Sequence, residues 1–145
     1  MTSPPQPSPQ RRRPVKSALR YAMAAFYVIA GVNHFRDPDF YLALMPSYLP
    51  LHAELVAATG VLEIALGVLM AIPRTAALAA WGIILMLLAF LPVHVHMLVN
   101  NHLYPQIPTS MLWLRFPIQG LFILWACWYT TPRARAEVLG SPSLT

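Results

Sequence analysis

Four apolar stretches, at residues 18–35, 53–72, 75–99 and 111–130, constrain this 145-residue chain more than any other feature. Each is close to the roughly 20 residues that an α-helix needs to cross about 30 Å of hydrocarbon. A bilayer core offers no water to unpaired N–H and C=O groups, so a spanning segment must satisfy its backbone internally. The expected fold class is all-α, a four-helix transmembrane bundle. Composition agrees. Hydrophobic residues make up 57% and charged residues 10%, against about 25% charged in a typical soluble domain. Ten percent is too little charge to cover a water-soluble surface on a chain this short.

The breaks between stretches carry turn chemistry. Pro38, Pro46 and Pro50 separate the first two, Pro73-Arg74 makes a tight turn, and Asn100, Asn101, Pro105 and Pro108 mark the third connection. Pro92 lies inside the third stretch and predicts a kink whose freed carbonyl faces protein. Residues 1–17 form a basic, Pro-rich tail with too few apolar side chains to bury, 18–131 form one membrane domain, and 132–145 form a short tail. The first stretch ends in Asn33-His34-Phe35-Arg36 without a small-residue cleavage site, so it reads as a retained span. The single cysteine, Cys127, excludes a dithiol relay within the chain.

Orientation follows from the basic residues. Arg11, Arg12, Arg13, Lys16, Arg20, Arg74, Arg133 and Arg135 fall on one side of the four-span topology, and only Arg36 and Arg115 on the other. The positive-inside rule places both termini in the cytoplasm of a cell-membrane protein. The net charge of +5 is accounted for in this way, without a nucleic-acid partner. Trp113, Tyr41 and Tyr48 mark the outer interface; Trp81, Trp128, Tyr129 and Tyr21 mark the inner one.

The remaining polar residues predict an outer layer fed by all four helices: Asn33, His34, Arg36, Asp37 and Asp39, then Glu54, His94 and His96, then Arg115 and Gln119. Glu63 is deeper, roughly 15 Å below the outer end of its span. Facing lipid, an ionised carboxylate there would cost about 2.5–3.5 kcal/mol on the most lenient scale, so it should face the bundle. Gly60, Glu63 and Gly67 share one helix face, and small residues admit a close neighbour. Tyr27 is expected at similar depth, with Glu63 protonated or hydrogen-bonded to it. Against a role in ligand binding or proton handling stands a purely structural carboxyl holding two helices together.

Arg115 and Gln119, four residues apart, share a face. They are candidates to donate to an anionic or carbonyl-bearing head group, or Arg115 snorkels and pairs with Asp37 or Asp39. His94 and His96 point about 200° apart on a helix and cannot chelate one ion. His34 and His94 as axial haem ligands is a weaker reading than interfacial histidines. Asp37-Pro38-Asp39 reads as a turn. No phosphate loop, hydrolase elbow, kinase or zincin motif is present.

Five separated motifs occur in order: Gly31-Val-Asn-His-Phe35; Pro46-Ser-Tyr-Leu-Pro50; Gly60-Val-Leu-Glu63 with Gly67; the Pro92-containing end of the third span; and Arg115-Phe-Pro-Ile-Gln119. Over residues 18–130 this pattern resembles the DoxX-like family of four-helix membrane proteins. The family pattern has an asparagine after the proline of the third span, where this chain has His94. The resemblance implies a bundle in the cell membrane and a link to redox or quinone-dependent complexes, with distant relatives that assist membrane-receptor assembly; it names no reaction.

The expectation is thus a non-catalytic accessory subunit of a redox membrane complex. It would hold a quinone-like or lipid-like ligand through Asn33, His34, Glu63, His94, Arg115 and Gln119, with Gly31, Gly60, Gly67 and Tyr27 packing the helices. The alternative is an assembly chaperone for other membrane proteins. A small transporter is third, because four spans without inverted repeats are few for a pathway.

Overall fold

The computed structural model describes residues 12–131. Five helices follow in order: α1 (Arg12–Arg36), α2 (Pro38–Leu42), α3 (His52–Ala71), α4 (Ala76–Val99) and α5 (Thr109–Cys127), with a 3-10 turn at Asn101–Leu103. Among the described residues there is no strand. The long helices α1, α3, α4 and α5 are each long and apolar enough to cross a membrane, giving the all-α four-helix transmembrane bundle expected. Large apolar side chains cover its outside: Val99 is 72% exposed, Leu124 71% and Leu78 68%. Water would not tolerate such a continuous apolar surface; lipid does.

Two boundaries differ from expectation. The first helix is already formed at Arg12, where the described residues begin, ahead of residue 18, and it accommodates Pro14. Asp37-Pro38 opens a short helix rather than a simple turn, with Pro38 at its first position. Residues 1–11 and 132–145, including Arg11, Arg133 and Arg135, lie outside the described residues.

Four crossings return the chain to its starting end, and side chains clasp that end shut. The Tyr129 hydroxyl donates to the Lys16 carbonyl (2.9 Å), and Lys16 Nζ donates to the Trp128 carbonyl (2.9 Å). At the α3–α4 turn, Thr75 Oγ1 donates to the Leu69 carbonyl (2.7 Å), satisfying an acceptor at the end of α3. The larger core cluster includes Met23, Tyr27, Leu66, Met70, Ala79, Ile83 and Tyr129. Met97, Tyr104 and Leu112 form a smaller one toward the opposite end. There the α2–α3 loop folds over a fully buried Pro46, whose carbonyl is 3.0 Å from His52 Nε2.

Packing is uneven. The closest pair is α1 with α3, then α4 with α5, and α3 against α4 joins the two units. Glycines set the α1–α3 approach. A Cβ on Gly31 would lie 2.5 Å from the Gly60 carbonyl oxygen, and one on Gly67 would lie 2.8 Å from that of Ala24. Backbone contact of this kind is how helices associate in lipid, where apolar burial supplies no driving force.

Candidate functional site

The buried face of α1 carries Arg20, Met23, Ala24, Tyr27, Gly31 and His34, a helical spacing of three and four. Opposite, α3 buries Val56, Gly60, Glu63, Leu66, Gly67 and Met70. Where these faces meet in the half of the bundle away from the termini, His34 Nδ1 is 3.6 Å from Glu63 Oε2. The same nitrogen is 3.0 Å from the Ala30 carbonyl. A carbonyl only accepts, so Nδ1 carries a proton. The imidazole also stacks on the Tyr41 ring of α2, with centroids 3.7 Å apart and planes at 22°. Burial raises the pKa of the Tyr41 hydroxyl, and a charge on Glu63 raises it further, partly offset by Asn33.

Glu63 therefore faces the bundle, with His34 at 3.6 Å, and the expected hydrogen bond to Tyr27 is not formed. The Tyr27 hydroxyl and Glu63 Oε2 are both buried without a hydrogen-bond partner. Side-chain direction brings Glu63 to His34. Cα–Cβ bonds tilt toward the N-terminus of their own helix. Since α1 and α3 are antiparallel, Glu63 leans toward His34.

A second cluster lies between α4 and α5. His94 Nδ1 is 2.7 Å from Gln119 Oε1, and Gln119 Nε2 donates to the Leu87 carbonyl at 2.5 Å. The amide oxygen must accept, so His94 Nδ1 is the donor. Leu87 precedes the Leu88 carbonyl, four residues before Pro92, which has no N–H to offer it. Gln119 thus pins the interrupted part of α4 to α5. Arg115 is half-buried, and its Nη1 lies 3.8 Å from the Met97 sulfur. Among the described residues no carboxylate is within ion-pair distance of it, so the expected pairing with Asp37 or Asp39 is not formed.

The six candidates accordingly do not form one continuous layer. His34 and Glu63 belong to the α1–α3 unit, with Asn33 exposed on the adjoining surface. His94, Arg115 and Gln119 belong to the α4–α5 unit. His34 and His94 are each engaged by a different partner. Gln119, expected as a head-group donor, is already engaged through both its oxygen and its nitrogen. Two cavities open among the described residues away from these clusters, and neither is lined by any of the six. One is a shallow groove on α4 around Pro92, Val95, His96 and Asn100. The other lies at the terminal end beside Lys16, Arg20 and Tyr129.

Sequence reasoning missed two participants. By sequence Tyr41 is an interfacial aromatic, and no local signal links it to His34, since the stacking depends on how α2 folds back. By sequence Arg20 belongs with the basic residues of the terminal end, yet it is only 5% exposed. Its place seven residues before Tyr27, on the same helix face, was the available signal.

No curated protein and no solved structure matches the chain. A family model described as a domain of unknown function, DUF8561, matches residues 23–130, which takes in all four spans except the first turns of α1. That match extends over most of the chain, and the chain belongs to this family.

Proposed function

We propose that the protein is a non-catalytic accessory subunit of a redox-linked membrane complex, of the DoxX-like type its motifs resemble. In this reading it engages a quinone-like or lipid-like molecule in the half of the bilayer away from its termini. The excess of Arg and Lys at the terminal end supports a cytoplasmic location for both termini and insertion in the cell membrane. The observation that carries the reading is the His34–Glu63 pair. It places two protonatable side chains 3.6 Å apart within the membrane, with Glu63 Oε2 lacking any hydrogen-bond partner. Intramembrane ionisable groups are costly to keep and mark functional sites by default. Arg115, whose side-chain hydrogen-bond partner among the described residues is a soft thioether sulfur, is the candidate donor to a head-group carbonyl or anion.

Quinone content of the protein purified in mild detergent tests this. Glu63→Gln and Arg115→Ala should each lower it several-fold at unchanged helix content. Unchanged quinone in both variants would remove the redox reading.

One observation favours a second reading, an assembly chaperone or interaction protein. Helix α5 is the least enclosed span, with 17% of its most apolar stretch buried against 33% in α3 and in α4. Its exposed Trp113, Leu114, Ile118, Leu121 and Leu124 are available to a partner helix. Cross-linking from Leu121 to a co-purifying membrane protein, with quinone content unaffected, would favour this alternative.

A further inference from the structure

Arg20 presents a problem that the bundle does not solve by itself. It is 5% exposed, and its Nε and Nη1 are both buried without a hydrogen-bond acceptor among the described residues. A guanidinium stays charged in proteins, and an uncompensated buried charge is strongly unfavourable. Its contact with the Tyr21 ring, 4.7 Å from the centroid, offsets some of the charge but accepts no N–H in the ordinary sense. Arg20 borders a cavity of about 50 Å³ at the terminal end of the bundle. Lys16, Tyr129 and Thr131 also line it, and no lining residue is acidic. Lys16 is held in place, with Nζ bonded to the Trp128 carbonyl and 5.3 Å from the centre of the Tyr129 ring. Tyr129 is fixed in turn by its bond to the Lys16 carbonyl.

Two cations, one with unfilled donors, converge on a small opening at the terminal end of the bundle, beside the ends of three spanning helices. The opening is far below the several hundred Å³ that a drug-sized ligand needs. It suits an oxyanion whose apolar remainder stays outside. We propose that Arg20 and Lys16 form a phosphate site at the terminal end of the bundle, one that takes the head-group phosphate of an anionic membrane lipid. The charge-assisted bonds from Arg20 then supply the missing acceptors, and the acyl chains lie along the apolar surface of α1 and α4. A free phosphate ion shares this chemistry, and the test separates the two sources.

The full chain is reconstituted in detergent micelles with phosphatidylglycerol, with phosphatidylcholine, or with inorganic phosphate alone. Retained lipid is read by native mass spectrometry and thermal stability by circular dichroism. The wild type should retain phosphatidylglycerol at least tenfold better than Arg20→Gln, a difference of about 1.4 kcal/mol, and its melting temperature should rise with that lipid. Lys16→Gln should lower retention less. Arg20→Lys keeps the charge with a different donor geometry, and intermediate retention in that variant guards against a folding defect in Arg20→Gln. Stabilisation of the wild type, but not of Arg20→Gln, by inorganic phosphate alone would support the oxyanion site with free phosphate as its source. Equal phosphatidylglycerol retention by wild type and Arg20→Gln overturns the proposal. So does a Glu137→Gln variant that loses as much stability as Arg20→Gln while lipid retention is unchanged, because the acceptor would then be the chain's own carboxylate.

Discussion

Replacing Gly31 by alanine adds one methyl group where α1 and α3 touch. The new Cβ would stand 2.5 Å from the Gly60 carbonyl oxygen, 2.8 Å from Ile64 Cγ1 and 2.9 Å from the Ile64 nitrogen. Two of these three atoms are backbone and cannot rotate away. Restoring ordinary contact requires the helices to part by roughly 1 Å, and a gap of that size forfeits about a quarter to a half of the dispersion energy of each pair it separates. Overpacking in a close-fitted interior costs about 1–3 kcal/mol, and lipid provides no hydrophobic driving force to press the helices back together. Gly31→Ala should therefore destabilise the bundle by that amount. Two other glycines serve as controls. The atoms nearest a Cβ on Gly82 belong to the Leu66 side chain, the closest being the Cδ2 methyl at its far end, at 2.5 Å, and one on Gly120 meets nothing within 4 Å. Alanine should be close to neutral at Gly82. At Gly120 it should stabilise by at most about 1 kcal/mol, through helix propensity. Reversible unfolding by denaturing detergent, followed by circular dichroism, would rank the three. Equal stability of Gly31→Ala and Gly120→Ala would refute the claim that backbone proximity holds α1 to α3.

Two further outcomes are expected. Gln119→Leu strands the His94 Nδ1 donor and removes the second donor to the Leu87 carbonyl, and should cost about 1–3 kcal/mol in the same unfolding assay; His94→Asn, which can still donate to Gln119, should cost less than His94→Leu, and equal losses would count against the cross-link. Tyr41 should ionise above 10.0, raised first by burial and then by a charge on Glu63. Its folded-state pKa exceeds its unfolded one, so the stability it contributes is fully present below about pH 10 and is lost as pH rises through the folded value. Tyrosinate absorbance in the wild type and Tyr41→Phe checks this, and a missing phase centred at or below 10.0 would contradict it.

Local signals were enough for the spans. Apolar length dictates a membrane helix, since nothing else satisfies the backbone in hydrocarbon, and residues 53–72 and 75–99 fall within a residue of α3 and α4. The Gly60, Glu63 and Gly67 face was legible for the same reason, because helical spacing alone puts these residues on one side. The polar layer was less legible. Its members could be assigned a depth by counting residues, but depth along a helix does not give direction around it.

Which polar groups meet was decided by the packing of whole helices. The glycine contact draws α1 onto α3, and antiparallel Cβ tilt then delivers Glu63 to His34. Gln119 is committed to His94 and Leu87 because α5 packs on α4 beside a helix turn weakened by Pro92. Arg20 shows the same division. Its charge and position are written in the chain, but its burial beside a cavity without an acidic residue exists only once the start of α1, the first turn of α4 and the end of α5 are brought together. A residue's chemistry is a property of one position, whereas its partners depend on distances between segments far apart in sequence, and only the folded bundle fixes those.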